Sequence, residues 1–255
     1  MTLVIKYGGS AMTDAELRRK VAAEIARLAK EGSGPVVVHG GGPFIQRALD
    51  RAGLSSHFVR GLRVTSPESL VVIEEVLTRL SKVLAQDIGE AVGLSGRDSR
   101  LLTAEAMPEL GRVGKMRSVN APLLKQLLGL GLTPVVACIA GTREGDDVLN
   151  VNADSVAGAV AGALSAPVVF LSDVPGVLAS PRDKTGPLRE LCKEDIHARI
   201  RDGRIAGGMI PKVEAALEAL SHGAAFAVIA DGREPAALKR AARGEAGTRI
   251  VRKAS

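Results

Sequence analysis

The chain has 255 residues, room for one large α/β domain or two lobes, and its 46% hydrophobic content supports a sizeable core. Aromatic residues are only 2% (no Trp, one Tyr), so the core must be built from Leu, Val, Ile and Ala, and stacking platforms for single-stranded nucleic acid are scarce. The net charge of +6 suits anionic metabolites as well as nucleic acid, but there is no dense basic run; Lys239, Arg240 and Arg243 fall at helical spacing, a solvated face.

In chain order, strands and helices alternate. Leu3 to Ile5 is a short buried strand that ends in Lys6, Gly8 and Gly9, and Ser10 to Asp14 lead into a helix over 15–31. A second unit repeats this plan: the strand Pro35 to His39, the turn Gly40-Gly41-Gly42, then a helix over 43–52. Phe58 to Thr65 reads as a β-like hairpin with Gly61 and Arg63. Ser66-Pro67-Glu68 starts a long helix running toward Ala85 or Gly89. A strand follows at 91–94, then small antiparallel strands at 101–103 and 111–119, a helix at 122–130 and a buried strand at 133–139. Asp146 to Val151 is a turn and short strand, after which Asn152-Ala153-Asp154 opens an Ala-rich helix to Leu164, with Asp154 placed to suit the helix dipole.

Ala166-Pro167 is the best boundary, which divides the chain into lobes 1–165 and 166–255. Beyond it lie the strand Val168 to Leu171, the turn 172–178, a polar loop over 180–187, and a helix at 193–202. Gly207-Gly208 through Lys212 then leads into a helix over 213–222, followed by a strand at 225–230, a helix at 235–243 and a closing strand at 248–251. This alternation predicts a three-layer α/β/α sandwich with a mainly parallel open central sheet. Cys138 and Cys192 have no metal spacing and imply no disulfide framework, which fits a reducing compartment. No signal peptide precedes the first strand and no apolar run reaches membrane-spanning length, so a cytoplasmic location is expected, with no membrane and no nucleic-acid partner.

The phosphate-binding chemistry follows neither the P-loop nor the protein-kinase pattern. Separate glycine turns occur instead at Gly8-Gly9, Gly40 to Gly42, Gly93 to Gly96 and Gly207-Gly208, each able to offer backbone N–H groups to an anion. Lys6 and Lys212 each adjoin one of them. Two cations converging with glycine amides suit phosphoryl transfer, which depends mostly on positioning and electrostatics. A carboxylate between the ammonium groups would hold their spacing, and Asp154 is the candidate; as a bare sequence feature it could equally be an ordinary first-turn residue. The four histidines, His39, His57, His197 and His222, are scattered, and none receives a catalytic role.

The segments Ile5 to Ser10, Val38 to Pro43, Gly61 to Thr65, Val92 to Gly96, Asn150 to Asp154, Leu171 to Leu178, Gly208 to Val213 and Gly247-Thr248 fall in an order that resembles the amino acid kinase family across nearly the whole chain, and within it the branch acting on N-acetyl-L-glutamate. The resemblance implies ATP-dependent phosphorylation of the γ-carboxylate of N-acetyl-L-glutamate, the second step of arginine biosynthesis, with Mg²⁺ carried on the ATP phosphates and no separate metal cage. It implies that Lys6 and Lys212 stabilise the transferring group, Asp154 organises both lysines, and Gly8, Gly9, Gly41 and Gly42 supply amides. It further implies that Arg63 grips the substrate α-carboxylate and Asn150 its polar groups. The nucleotide is expected on Asp173, Val174, Pro175, Gly176, Val177 and Leu178 and on Arg204, Ile205 and Ala206, in a C-terminal ATP lobe facing an N-terminal lobe for substrate and dimerisation.

Three departures bear on detail. The connection between Leu80 and Ala91 is short and lacks an Asn-Lys pair common there, and Ser99 stands where glycine is common. The chain also begins directly at its first strand, whereas arginine-inhibited members carry an extra N-terminal helix that links dimers into a ring; a homodimer without arginine feedback is therefore expected. A kinase for carrier-linked aminoadipate or glutamate, or a catalytically silent regulatory member, remains open at this point.

Overall fold

The computed structural model describes residues 1–143, 147–180 and 185–253, and the backbone alone at Ser10 and Ala11. The elements follow in chain order. The first half contains β1 (Thr2–Tyr7), α1 (Ala15–Lys30), β2 (Gly34–His39), α2 (Gly42–Arg51), the hairpin β3 (Phe58–Val59) and β4 (Leu62–Arg63), and α3 (Pro67–Ile88). It continues through β5 (Ala91–Ser95), β6 (Leu102–Ala106), β7 (Val113–Val119), α4 (Ala121–Gly129), β8 (Thr133–Ala137), β9 (Ile139–Gly141), β10 (Val148–Val151) and α5 (Ala153–Ala163). The second half holds β11 (Val168–Ser172), β12 (Glu190–Leu191), α6 (Lys193–Arg201), α7 (Met209–Ser221), β13 (Ala227–Asp231), α8 (Ala237–Ala242) and β14 (Thr248–Ile250).

Among the described residues the central sheet runs β12-β14-β13-β11-β1-β2-β8-β5, and only the β13–β14 pair is antiparallel. Alternation along its strands builds two cores. Val4, Val36, Val38, Val136 and Val168 point toward α5 and α7, where they meet Val156, Val160, Val213 and Ala216. Leu3, Ile5, Val37, Val135 and Val169 point the other way, toward Ile25 and Leu28 of α1, Leu84 of α3 and Leu238 of α8. A sheet buried on both faces explains why these strands read as continuous β-branched runs. The three-layer α/β/α expectation is met.

The excursion between β5 and α5 is more elaborate than two strands. β10, β7, β6 and β9 close on one another as a small barrel beside the sheet edge. The run expected as one strand over 133–139 splits at Cys138: β8 ends in the main sheet, and β9 enters the barrel. An apolar run carries no mark of a change of sheet, because both of its halves are buried. β12 and the antiparallel sense of β14 were also beyond the sequence reading. Asp146 of the expected turn, and residues 181–184 of the expected polar loop, lie outside the described residues.

Two packing details place functional groups. A Cβ on Gly158 of α5 would stand 3.1 Å from the Ala219 Cα of α7, so the two helices approach closely through small residues. α5 carries Asp154 in its first turn and α7 carries Lys212, so this contact fixes their relative positions. Asn152 caps α5, its Oδ1 accepting from the N–H groups of Asp154 (2.9 Å) and Ser155 (3.1 Å).

Candidate active site

The carboxyl ends of β1, β2 and β11 lie side by side, where parallel α/β sheets present ligand sites. Lys6 and Gly9 leave β1, and Gly9 has φ +77°, a conformation that favours glycine. The β1 turn abuts the β2 turn: the Gly40 N–H donates to the Tyr7 carbonyl at 3.0 Å. Gly41 needs its missing side chain for another reason, since a Cβ there would meet Leu77 Cδ2 of α3 at 2.9 Å.

Two neighbouring cavities result. One is lined by Lys6, Gly8, Gly9, Asp154, Asp173 and Lys212, together with the end of β11. Here Lys6 Nζ pairs with Asp154 Oδ1 at 2.9 Å. Lys212 Nζ reaches Asp173 Oδ1, at 3.9 Å, in the same cavity. The two pairings follow from placement. Lys212 rises from the first turn of α7 opposite β11, whereas Lys6 leaves β1 directly against α5. Partial burial pushes the Asp173 carboxyl up, but hydrogen bonds from its own N–H and Ser172 Oγ, with Lys212 and Arg233 nearby, outweigh this and leave it below the usual carboxylate range.

The other cavity is lined by Gly40, Gly41, Gly42, Arg63, Asn150 and Asn152, with apolar walls from Ile45, Phe58, Leu62 and Leu77. Arg63 projects from the β3–β4 hairpin. Its guanidinium donates to Gln46 Oε1 at 2.9 Å and to Ser56 Oγ, and lies 4.5 Å from the Phe58 ring centroid. Among the described residues it forms no salt bridge, so neutral partners hold it. Burial lowers its pKa, and Asp50 opposes this. Asn150 Nδ2 donates to Thr65 Oγ1 at 3.1 Å, and the Thr65 hydroxyl donates to the Arg63 carbonyl at 2.8 Å. The fully buried Thr65 thus ties the two expected substrate-binding residues together. The Asn152-Ala153-Asp154 run forms the wall between the cavities.

The expected nucleotide segment behaves unevenly. Asp173 lines the lysine cavity. Val177 is buried, its N–H held by Thr248 Oγ1 at 2.8 Å, and Leu178 bridges to Pro187. Gly176 packs against Thr248 and Pro187, and Pro175 lines a separate depression with Asp231 and Gly247. Arg204 is exposed and paired with Asp202, Ile205 is buried, and Ala206 precedes α7; none of the three lines the lysine cavity. Sequence reading passed over Thr65, Gln46 and Ser56, which hold Arg63 and Asn150 in place. Thr65 sat inside a quoted motif, but only its place between Arg63 and Asn150 reveals its part.

Residues 1–231 match the family model of the amino acid kinase family. The chain belongs to the amino acid kinase family. It is 55% identical to acetylglutamate kinase of Deinococcus radiodurans over 251 residues, covering 98% of this chain and 100% of that one. It is 47% identical to an acetylglutamate kinase of Thermus thermophilus, over 96% of both chains. Among solved structures, N-acetylglutamate synthase from Neisseria gonorrhoeae shares the fold at TM-score 0.84 and 22% identity, over 99% of this chain and 62% of that one. Giardia carbamate kinase does so at TM-score 0.72 and 20% identity, over 99% of both chains. Among the described residues no helix is long and apolar enough to cross a membrane.

Proposed function

We propose that this family member is an ATP-dependent N-acetyl-L-glutamate kinase, which transfers the γ-phosphoryl group of ATP to the substrate γ-carboxylate. The observation that carries the proposal is the pairing of cavities: two lysines among glycine amides, one wall away from an arginine that forms no salt bridge among the described residues. The full-length likeness to acetylglutamate kinases supports it.

A carboxylate with a pKa of about 4 is already ionised at neutral pH, so the reaction needs no general base. A carboxylate oxygen attacks the γ-phosphorus, the bond from that phosphorus to the β–γ bridging oxygen breaks, and ADP leaves without any proton transfer. The obstacle is repulsion between two anions, and Lys6, Lys212 and the amides of Gly8, Gly9, Gly41 and Gly42 are suited to offset it. Arg63 takes the substrate α-carboxylate, and Asn150 its amide. In the same proposal the segments 173–178 and 204–206 contribute to a nucleotide site in the lobe 166–255, and the lobe 1–165 holds the acceptor. A Mg²⁺ ion bound to the ATP phosphates would neutralise part of their charge, and the cavity fits an ion carried that way, since its carboxylates Asp154 and Asp173 each face a lysine. A homodimer belongs to the proposal too, and Val71, 59% exposed on α3, is an apolar surface residue that assembly could cover. Sedimentation tests that part.

The deciding assay traps the acyl phosphate as a hydroxamate and compares N-acetyl-L-glutamate with carrier-linked aminoadipate and carbamate. ATP-dependent trapping with N-acetyl-L-glutamate is the expected result. Turnover confined to another acceptor would discard the assignment of Arg63 and Asn150. No turnover with any would favour a silent regulatory protein.

A further inference from the structure

We propose that His39 is a positioning residue: its Nδ1–H clamps the Gly40 carbonyl and thereby aims the Gly41 N–H into the acceptor cavity. The inference rests on the kinase reading above, since it concerns an amide of the same site.

His39 ends β2 and is fully buried. Its Nδ1 lies 3.0 Å from the Gly40 carbonyl oxygen. Burial pushes its pKa down to about 4, against the pull of that carbonyl, so the ring is neutral at physiological pH. A carbonyl can only accept, so the one ring proton must sit on Nδ1. Nε2 is then a buried acceptor with no partner among the described residues. Such an orphan is destabilising, a penalty that an apolar side chain would avoid.

The clamp matters because of what the turn does with its other peptide groups. The Gly40 N–H donates to Tyr7, the His39 carbonyl accepts from Cys138 Sγ at 3.2 Å, and the Gly41 carbonyl accepts from the Ile45 N–H at 2.8 Å. Among the described residues, the Gly41 N–H has no acceptor. That N–H belongs to the same planar trans peptide as the Gly40 carbonyl, so the two point in opposite directions. Holding the oxygen on His39 therefore turns the N–H away from the histidine. Leu77 and Leu80, close enough that a Cβ on Gly41 would meet them at 2.9 and 3.0 Å, stop the turn from drifting. Gly41 lines the acceptor cavity, so the freed donor serves an anion there.

The test uses three variants and one spectrum. Asn places its amide nitrogen near the position of Nδ1, Gln near that of Nε2, and Leu supplies no donor. With ATP and N-acetyl-L-glutamate, His39→Asn should stay within a few-fold of the wild-type kcat/KM. His39→Gln and His39→Leu should lose about ten- to a hundredfold, as a misaimed donor would. Equal losses in all three, or a Gln variant better than Asn, would overturn the inference as a purely structural role would predict. Long-range ¹H–¹⁵N correlation on the wild-type protein reads the tautomer without any variant having to fold: an Nδ1-protonated neutral ring is expected, and an Nε2-protonated one would overturn the clamp. If the wild-type enzyme uses a different carboxylate or carbamate acceptor, the same variants are compared on that acceptor, so failure of the substrate assignment is told apart from failure of the clamp.

Discussion

The two cavities hold their cations in opposite ways. In the lysine cavity each ammonium faces a carboxylate, Lys6 at 2.9 Å and Lys212 at 3.9 Å. In the acceptor cavity Arg63 is held by an amide oxygen, a hydroxyl and an aromatic face. A cation balanced by protein carboxylates is stable in place and stays serviceable toward a ligand carrying several negative charges. One held by neutral groups keeps its whole charge for a weaker, singly charged carboxylate. The difference suggests that the first cavity is built for a polyphosphate and the second for a small dicarboxylate.

The sharpest way to break that division is to remove a lysine. Lys6→Ala and Lys212→Ala should each lower kcat by about 10²–10³, the usual loss when one charge-stabilising donor is deleted, with little change in acceptor KM. Steady-state kinetics varying each substrate separately checks this. A change confined to acceptor KM would place the lysine in the wrong cavity.

Next in size is an effect of pH on stability. His39 is held neutral with a folded pKa of about 4, against an ordinary value of 6.5. Above pH 6.5 both states are uncharged and nothing is lost. As pH falls below 6.5 the unfolded chain takes up a proton that the folded chain refuses, so stability drops toward pH 4, by roughly 2 kcal/mol at pH 5. Denaturant titrations from pH 7 to 5 should show a flatter decline for His39→Asn than for the wild type.

Smaller again is the effect of the link inside the acceptor cavity. Thr65→Val removes the hydroxyl between Arg63 and Asn150 while keeping its shape. Acceptor KM should rise about five- to tenfold, in line with a net hydrogen-bond contribution of about 1 kcal/mol, with kcat nearly unchanged and Thr65→Ser restoring the wild-type value. Loss of kcat instead would move Thr65 from binding to chemistry.

The smallest expected change lies outside both cavities. Ser99 has φ +49° and ψ 34°, a left-handed conformation that costs a side-chain-bearing residue energy. Ser99→Gly should therefore stabilise the fold by about 0.5–1 kcal/mol without altering kinetics, as thermal melts and assays together would show.

How far the sequence reached follows from what each signal depends on. β1, β2 and β11 were legible because a strand buried on both faces is a run of Val, Ile and Leu ending in a glycine turn or a polar bend. Lys6, Asp154 and Lys212 were legible because each stands at such a turn or at a helix start. Ser99 was marked out as a departure from glycine, and its positive φ supplies the reason. What the sequence hid was tertiary in origin. The break at Cys138 leaves no trace in an apolar run, and the barrel depends on pairings between distant strands. The partner of Lys212 depends on how α7 docks against β11, and the part played by His39 depends on which carbonyl lies 3.0 Å from its ring.

The measurement that tests the division of labour most directly is equilibrium binding of N-acetyl-L-glutamate, without nucleotide, to Arg63→Ala and Lys212→Ala by titration calorimetry. The neutral cradle of Arg63 predicts that its removal weakens binding by about a hundredfold, as loss of a charge-assisted pair does, while Lys212→Ala stays within a few-fold of the wild type. Equal weakening in both variants, or binding that survives the loss of Arg63, would contradict the assignment of the acceptor to the arginine cavity.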